Sequence, residues 1–338
     1  MKIGVLGLGF MGSTHLQALE TIPGVEIAAV MDADEARLSG DLSGIMGNLG
    51  GPGRRMDFSR ARKYRTVGEI LADPDLDAVD ICLPTSFHAP VAIQALRAGK
   101  HVLVEKPMAL DGAAAEQMIE ESRRRDRILM VAQVLRFIPA YEGLMDLVRS
   151  GRLGNIRSAF FRRRTATPTW GPWEFDSAQS GGGVFDLLIH DADMCLHLFG
   201  APEAVSATGY EAMKDGVDQI VAELHYPGIG SVTITGGWYL IGEYPFSMEY
   251  TVTGDRGVVE FSSVGRPAAV YWANGKREEL PPPDVDPYRA ELEYFIRCCR
   301  DATKPGRCPA EESARAVNLT RFMVDARGRK GERLPCRL

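Results

Sequence analysis

Long apolar runs are missing from this chain of 338 residues. No window of about 18 consecutive apolar residues occurs, so we expect no helix that crosses a membrane and no membrane partner. The chain passes from Met1 directly into an apolar strand pattern, without the separate basic and apolar regions of a signal peptide. We therefore expect a cytoplasmic protein.

Cysteine is scarce, and its spacing excludes the common cysteine motifs. The six cysteines form no C-x-x-C pair, and Cys298 and Cys299 are adjacent. Adjacent cysteines suit neither a zinc site nor an ordinary disulfide, so reduced cytosolic thiols are expected. No other group of residues has metal-ligand spacing, and we predict no metal site.

An excess of positive charge is also missing. The chain has 39 Lys and Arg against 45 Asp and Glu, which gives a formal net charge of -6. A nucleic-acid-binding protein is usually basic overall or carries a clustered basic face. Two arginine runs, 123–125 and 162–164, are the candidates for such a face. We interpret both as solvated surface or subunit contacts and predict no nucleic-acid partner.

The hydrophobic pattern present predicts two domains, 1–130 and 131–338. Hydrophobic residues make up 45% of the chain and charged residues 25%, as in a globular protein. In the first third, apolar runs alternate with helical segments, which predicts an α/β domain with a doubly wound parallel sheet. The apolar runs are 2–6, 25–31, 79–83, 101–104 and 128–132. One helix is expected over 11–20, and the glycine-rich stretch 39–53 is interpreted as a loop or a broken helix.

The second domain is predicted to be α+β, with a large, mostly antiparallel open sheet. Turn signals at Pro227-Gly228 and Gly254-Asp255 separate neighbouring apolar stretches. Pro281-Pro282-Pro283 is interpreted as a linker. The expected strands are 156–165, 204–210, 220–226, 231–238, 246–253 and 258–261, and the expected helices are 139–150, 184–198, 288–300 and 311–327.

A complete G-x-G-x-x-G motif, Gly7-Leu8-Gly9-Phe10-Met11-Gly12, follows the first strand and opens the first helix. In a dinucleotide-binding turn, the first glycine permits the sharp bend and the second lets the pyrophosphate approach the backbone. The third allows close packing of helix and strand. The free N–H groups of the helix N-terminus then face the phosphates. The alternative is a glycine-rich turn without a ligand.

Asp32, at the end of the second strand, supports the dinucleotide interpretation. A carboxylate at this place accepts hydrogen bonds from the adenosine ribose and repels a 2′-phosphate. At a separation of about 4 Å and an effective dielectric of about 20, that repulsion is roughly 4 kcal/mol before screening. NAD is therefore favoured over NADP, although Arg37 offsets part of the repulsion.

Two further groups of residues are candidates for catalysis. Glu105-Lys106-Pro107 follows an apolar strand, where open α/β sheets bind ligands, and the alternative is a surface Glu-Lys pair. After three glycines, Asp186 and His190 lie four residues apart on one face of a predicted helix. Histidine titrates near neutral pH and can exchange a proton with a hydroxyl. The alternative here is a structural, buried Asp-His pair.

In their order and spacing, the glycine motif, Glu105-Lys106-Pro107 and the Gly-Gly-Gly…Asp186-x-x-x-His190 element resemble the Gfo/Idh/MocA oxidoreductases. Further matches are Pro84-Thr85-Ser86-Phe87-His88, Arg136-Phe137 and Gly151-Arg152-Leu153-Gly154. The resemblance covers nearly the whole chain.

The resemblance implies that Lys106, Asp186 and His190 surround the reacting carbon. His190 is the implied general acid/base, Asp186 orients it or binds a neighbouring hydroxyl, and Lys106 binds the reacting oxygen. The proton-transfer role of Lys106 is the alternative. Contacts with the cofactor are implied for Gly7, Gly9, Phe10, Met11, Gly12, Asp32, Arg37, Pro84, Thr85, His88, Glu105 and Lys106.

Substrate contacts are predicted for Trp170 and Trp173, because aromatic faces suit the C–H faces of a sugar ring. A substrate contact is also predicted for Arg136, which belongs to one of the further matches to the family. Packing is the alternative for the two tryptophans. The expected function is NAD-dependent hydride transfer to or from a hydroxyl-bearing carbon of a sugar, cyclitol or related polyol. Two alternatives stay open: a redox-neutral NAD-dependent glycosidase and a non-catalytic ligand sensor. A homodimer or homotetramer is also expected from the resemblance.

Overall fold

The computed structural model describes residues 1–45, 47, 53–167, 172–242, 244–280 and 285–338. These residues form two compact units. The first contains residues 1–134 and 285–314, and the second contains 135–284 and 315–338. The segment 285–314, which the predicted boundary at residue 130 places in the second domain, thus belongs to the first compact unit.

The first unit is built on a six-stranded parallel sheet with the strand order β3-β2-β1-β4-β5-β6. This is the Rossmann order, which confirms the predicted doubly wound sheet. The strands are β1 (Lys2–Leu6), β2 (Glu26–Met31), β3 (Arg62–Tyr64), β4 (Ala78–Ile81), β5 (His101–Val104) and β6 (Leu129–Val131). The helices are α1 (Phe10–Leu19), α2 (Glu35–Leu38), α3 (Val67–Leu71), α4 (Thr85–Arg97), α5 (Gly112–Arg125) and, from the later segment, α9 (Pro287–Arg300).

Local sequence explains where several of these elements begin. All four residues of β4 are buried, as expected for a central parallel strand. Thr66 and Glu69 form a capping box at the start of α3, and Asp111 caps α5. These caps satisfy backbone N–H groups that the helix itself leaves without acceptors.

The second unit is built on a nine-stranded sheet with the order β14-β13-β12-β11-β7-β10-β9-β8-β15. Its strands pair antiparallel except β7 and β10, which confirms a mostly antiparallel sheet. The strands are β7 (Ile156–Ala166), β8 (Ala204–Ala212), β9 (Val217–His225), β10 (Ser231–Leu240), β11 (Ser247–Gly254), β12 (Gly257–Ser262), β13 (Arg266–Trp272), β14 (Arg277–Glu279) and β15 (Leu334–Pro335). The helices are α6 (Pro139–Arg149), α7 (Ser177–Ser180) and α8 (Gly183–Phe199), and α10 (Ala310–Gly328) begins in the first unit and ends in the second.

Helix α8 packs on one face of this sheet, against β7, β9 and β10. Burial alternates along β7, with Ala159, Phe161, Arg163 and Thr165 turned to the buried face. The same alternation in β10 and β11 leaves residues such as Thr233 and Glu249 half-buried on the opposite face. One face of the sheet thus carries the core of the unit.

Several sequence-based expectations were incomplete. Strand β3 was not expected, because its three residues carry no apolar pattern, and the expected strands ended before β13, β14 and β15. In the stretch 39–53, residues 39–45 contain no helix, which agrees with a loop, while residues 46 and 48–52 lie outside the described residues. The linker at 281–283 also lies outside them. Among the described helices, none is long and apolar enough to cross a membrane.

Candidate active site

The turn between β1 and α1 has the shape that a dinucleotide requires. Gly7 has a φ of +90°, and a Cβ at this residue would lie 2.5 Å from the carbonyl oxygen of Cys82. A Cβ at Gly12 would overlap the carbonyl oxygen of Gly7. At Gly9 the nearest other atom to such a Cβ is an Arg37 nitrogen at 4.0 Å. The first and third glycines are therefore required by packing, and the second leaves room for a ligand.

Helix α1 begins at Phe10 and Met11, both half-buried, and has no side-chain hydrogen bond at its N-cap, Gly9. Its first N–H groups are thus available to an anion, and the helix dipole favours negative charge at this end. A bound pyrophosphate fits this turn, because the N–H donors and the helix dipole attract negative charge and Gly9 has no side chain in the way. The predicted contacts from these residues remain predictions.

Asp32 is fixed at the end of β2, beside the glycine turn. Its Oδ2 accepts a hydrogen bond from the Leu8 backbone N–H at 2.7 Å, and its Oδ1 accepts one from the Asp34 N–H at 2.8 Å. Arg37 Nη1 lies 3.5 Å from Asp32 Oδ2, with its side chain 40% exposed. The carboxylate is thus held in a fixed orientation, and the exposed guanidinium offsets only part of its charge.

Three of the residues predicted to contact the cofactor, Pro84, Thr85 and His88, follow β4. Thr85 is the first residue of α4, and Pro84 is its N-cap. His88 is buried, and both of its ring nitrogens lie 2.7 Å from carbonyl oxygens, those of Pro107 and Leu83. This histidine therefore ties the end of β4 to the segment after β5. Its predicted contact with the cofactor remains a prediction, while its observed contacts are structural.

Glu105 and Lys106 follow β5. Glu105 is 5% exposed, and its Oε2 accepts a hydrogen bond from the Lys106 backbone N–H at 3.0 Å. Its Oε1 lies 3.2 Å from His15 Nε2. Burial opposes charge on Glu105, but His15 and Lys106 outweigh it and lower the pKa of this carboxyl below its usual value. Lys106 itself is half-buried, and the alternative of a surface Glu-Lys pair is wrong for Glu105.

Sequence reasoning missed His15, which lies fully buried in α1. Its Nδ1 is 2.9 Å from Asp80 Oδ2. Burial lowers the pKa of the imidazole, but the charge and hydrogen bond of Asp80 outweigh this and raise it well above its usual value. The signal that could have found it is a histidine on the apolar face of α1, three residues after Gly12.

His15, Asp80 and Cys82 place one donor atom each within 4.8 Å of one another. The short His15–Asp80 distance is that of a hydrogen bond. Burial raises the pKa of the Cys82 thiol, which keeps it neutral near pH 7. This group is therefore explained as a hydrogen-bonded cluster, and the expectation of no metal site stays a prediction.

In the second unit, Asp186 and His190 lie four residues apart on α8, and both are half-buried on a helix whose neighbouring side chains are mostly buried. The start of α8 is held by Asp218 of β9, whose Oδ2 accepts a hydrogen bond from the Val184 N–H at 2.8 Å. Asp218 is in turn paired with Arg327. The predicted helix and the shared face of the two residues are thus observed.

The three glycines before α8 have a packing function in addition to any proximity to a ligand. Gly182 has a φ of +95°, and its Cβ would lie 3.0 Å from Asp218 Oδ2. A Cβ at Gly183 would lie 2.6 Å from the ring of Trp238. The helix N-terminus therefore approaches β9 and β10 more closely than a residue with a Cβ at these two positions would allow.

Two buried ion pairs hold α8 to the rest of the unit. Arg136 is fully buried, and its Nε and Nη2 lie 2.9 and 2.7 Å from the two carboxylate oxygens of Asp193. Arg163 makes a similar two-point contact with Asp191, at 2.9 and 3.1 Å. This geometry assigns the guanidinium of Arg136 to a contact with α8, and its predicted substrate contact remains a prediction.

Arginines of both runs are paired with acidic side chains. Arg125 Nε lies 2.8 Å from Glu121, and Arg123 lies 2.8 Å from Glu311. In the second run, Arg162 lies 2.6 Å from Glu249. The expectation of a solvated run was wrong for Arg163, because β-strand alternation turns it to the buried face of the sheet.

The two predicted tryptophans precede α7. Trp170 lies outside the described residues. Trp173 is half-buried and belongs to a short 3₁₀ helix (Pro172–Phe175) that precedes α7. The ring of Phe175, in the same 3₁₀ helix, packs edge-on against Trp238 at a centroid distance of 6.5 Å. The substrate contact of Trp173 remains a prediction.

Two family models match this sequence. The Gfo/Idh/MocA oxidoreductase family with its NAD-binding Rossmann fold matches residues 1–133, and the Gfo/Idh/MocA C-terminal domain matches residues 141–260. The chain belongs to this family, as the three motifs indicated.

Curated relatives agree with this membership. The chain is 32% identical over 213 residues to a myo-inositol 2-dehydrogenase of Thermotoga maritima, an alignment that covers 62% of this chain and 58% of the relative. It is also 32% identical over 234 residues to a trans-1,2-dihydrobenzene-1,2-diol dehydrogenase of Mus musculus, with 67% of each covered. The match thus spans less than two thirds of the Thermotoga protein. The family is one of oxidoreductases with an NAD-binding Rossmann fold, and both relatives are named dehydrogenases.

Solved structures share the fold over the whole chain. UDP-N-acetylglucosamine 3-dehydrogenase from Acidithiobacillus ferrooxidans has a TM-score of 0.78 at 25% identity, covering 96% of this chain and 97% of that one. Levoglucosan dehydrogenase in complex with NADH has a TM-score of 0.85 at 19% identity and covers 100% of both chains. At that identity the likeness concerns the fold.

Proposed function

We propose that this protein is an NAD-dependent dehydrogenase that transfers hydride between nicotinamide C4 and a hydroxyl-bearing carbon of a sugar, cyclitol or related polyol. The observation that carries the proposal is the glycine turn with Asp32 fixed beside it, in a chain that also presents Lys106, Asp186 and His190. The named relatives that act on inositol or other diols support the substrate class.

NAD is the proposed cofactor rather than NADP. Asp32 is 8% exposed and is held by two backbone N–H groups beside the turn. Because its orientation is fixed, it cannot move away from a 2′-phosphate without losing both hydrogen bonds. The bound nicotinamide supplies the hydride acceptor or donor, and the protein supplies position and charge.

The proposed catalytic roles fall to three side chains. His190 takes the hydroxyl proton during oxidation and returns it during reduction, a role worth about 10²- to 10⁴-fold in rate. Asp186, one helical turn away, orients the imidazole or binds a neighbouring hydroxyl. Lys106 donates a hydrogen bond to the reacting oxygen and so stabilises the developing alkoxide. Because Lys106 and His190 can both carry the proton, their variants need to be compared.

We also propose that the protein works as a homodimer or homotetramer in the cytoplasm. A mostly antiparallel sheet commonly packs one face on the core and leaves the other face exposed. The half-buried face of the nine-stranded sheet, opposite α8, is the surface on which a second copy of the chain would pack. None of the six cysteines, all of which lie among the described residues, forms a disulfide, which suits a reducing compartment. Light scattering that gives only a 37 kDa species would contradict the oligomer.

The test of the proposed activity is incubation of the purified protein with NAD and a panel of sugars, inositols and glycosides. NADH absorbance and released products are followed together. NADH formed in equal amount to an oxidised polyol is the expected result. Product release from a glycoside without net NADH would favour the redox-neutral glycosidase. Binding of a panel member without any turnover would favour a sensor.

A further inference from the structure

We propose that His15 is a positioning residue that holds the backbone of Lys106 in place through Glu105. This inference rests on the proposed function, because it presumes that the position of Lys106 matters for turnover. His15 belongs to the helix that opens the dinucleotide turn, and the inference therefore joins the cofactor-binding turn to the proposed catalytic lysine.

A continuous series of contacts carries the proposal. Asp80 of β4 lies 2.9 Å from His15 Nδ1, and Glu105 lies 3.2 Å from His15 Nε2. The second oxygen of Glu105 accepts the Lys106 N–H at 3.0 Å. Each carboxylate follows or belongs to a different strand, so one imidazole of α1 links the ends of β4 and β5.

Burial makes this linkage strong. His15 is 0% exposed, Asp80 1% and Glu105 5%. Charges at such depth are not screened by solvent, and a buried carboxylate that loses its partner must move, take up a proton or admit water. The contact of His15 Nε2 with Glu105 Oε1 is an ion-pair contact rather than a hydrogen bond, since this Nε2 has no hydrogen-bond partner among the described residues. Attraction at this depth restrains Glu105, which in turn accepts the Lys106 N–H.

The surroundings of the cluster explain why His15 can serve both carboxylates. Glu291 of α9 is 0% exposed, and neither of its carboxylate oxygens has a hydrogen-bond partner among the described residues. Burial, and after it the nearby carboxylates, raise the pKa of Glu291 well above its usual value. The ring of Tyr288 lies 6.2 Å from that of His15, and the Cys82 thiol is neutral. The two ring nitrogens of His15 thus face the carboxylates of Asp80 and Glu105, one on each side of the imidazole.

The test uses His15→Gln, which keeps polarity and similar size but cannot carry charge or bridge both carboxylates. A displacement of about 1 Å at a catalytic group can cost about 10²-fold in rate. We expect kcat at saturating NAD to fall at least tenfold while the Kd for NAD changes less than threefold. Gln17→Ala is the matched control, because Gln17 lies on the same helix and its Nε2 donates a hydrogen bond to the Ser13 hydroxyl; it should leave both values unchanged.

A double-variant cycle separates positioning from general structural damage. If His15 acts through Glu105, His15→Gln combined with Glu105→Gln should lower kcat no further than the more damaging single variant. Multiplying losses would overturn the proposal. A normal kcat of His15→Gln, measured well below its melting temperature, would also overturn the proposal, whether or not the Kd for NAD is raised.

Lys106→Ala, measured in parallel, distinguishes this inference from the proposed function. An inactive Lys106→Ala beside a normal His15→Gln would refute the positioning role alone. A fully active Lys106→Ala would instead refute the catalytic assignment of the lysine, whatever His15→Gln does.

Discussion

The buried pair of Arg136 and Asp193 gives the sharpest prediction about stability. Arg136→Met removes the guanidinium but keeps much of its apolar length. Asp193, 0% exposed, then loses the two contacts of 2.9 and 2.7 Å that compensate its charge. Breaking a buried pair by removing one partner costs about 3–5 kcal/mol, because an uncompensated charge is left in the core.

Thermal unfolding followed by circular dichroism measures this loss. For a domain of this size, 1 kcal/mol corresponds to roughly 2–4 °C, so the melting temperature should fall by roughly 6–20 °C. The double variant Arg136→Met with Asp193→Leu should recover most of the loss, since an apolar replacement of both partners is often neutral. Arg289→Met, which breaks an exposed pair with Glu293, is the control and should cost no more than about 1 kcal/mol.

The opposite outcome would refute this reasoning. If Arg136→Met melts like the unaltered protein and instead raises the KM for substrate, Arg136 contacts substrate as the sequence predicts. If the double variant is no more stable than Arg136→Met, the loss comes from packing of the arginine stem and not from the uncompensated carboxylate.

Three further predictions concern the cofactor, a buried acid and the proton acceptor. NAD should bind at least about tenfold more tightly than NADP, in line with the repulsion expected from a fixed carboxylate, and Asp32→Ala should narrow the gap; equal dissociation constants in the unaltered protein would contradict this. Folding raises the pKa of Glu291 above its unfolded value of about 4.3. The contribution of this acid to the free energy of unfolding is therefore largest at low pH and is lost as the pH rises through the folded pKa. Glu291→Gln should therefore become more stable relative to the unaltered protein between pH 5 and pH 8, and a constant difference in melting temperature would refute it. His190→Ala should remove the acidic limb of the pH profile of alcohol oxidation while the affinity for NAD persists. An unchanged profile would assign the role of proton acceptor to Lys106 instead.

The Rossmann half of the fold was predictable because its signals are local. Glycines at fixed offsets and buried strands of uniform apolar character are visible in the sequence itself. Strands β3 and β14 were not, since each has three residues, mostly charged or polar, and is defined by pairing rather than by its own pattern. The place of α9 in the first unit depends on contacts distant in sequence, which no local pattern contains.

The candidate site was predictable in its residue types and less so in its supports. Lys106, Asp186 and His190 stood out through spacing and resemblance. The partners His15, Asp193 and Asp191 did not, because a buried ion pair is recognised only when both members are seen together. Arg163 was the exception that period-2 alternation could have found, since Phe161 and Thr165 share its side of β7.

Hydride transfer itself is the central claim, and isotope transfer measures it most directly. A polyol that the protein oxidises is prepared with deuterium on the reacting carbon and incubated with NAD. NMR of the isolated cofactor should show deuterium at nicotinamide C4, in amount equal to the ketone formed, and Lys106→Ala should slow this transfer by about 10²-fold or more. Oxidised product without deuterium at C4, or product release with all deuterium retained on the sugar, would contradict the proposed dehydrogenase.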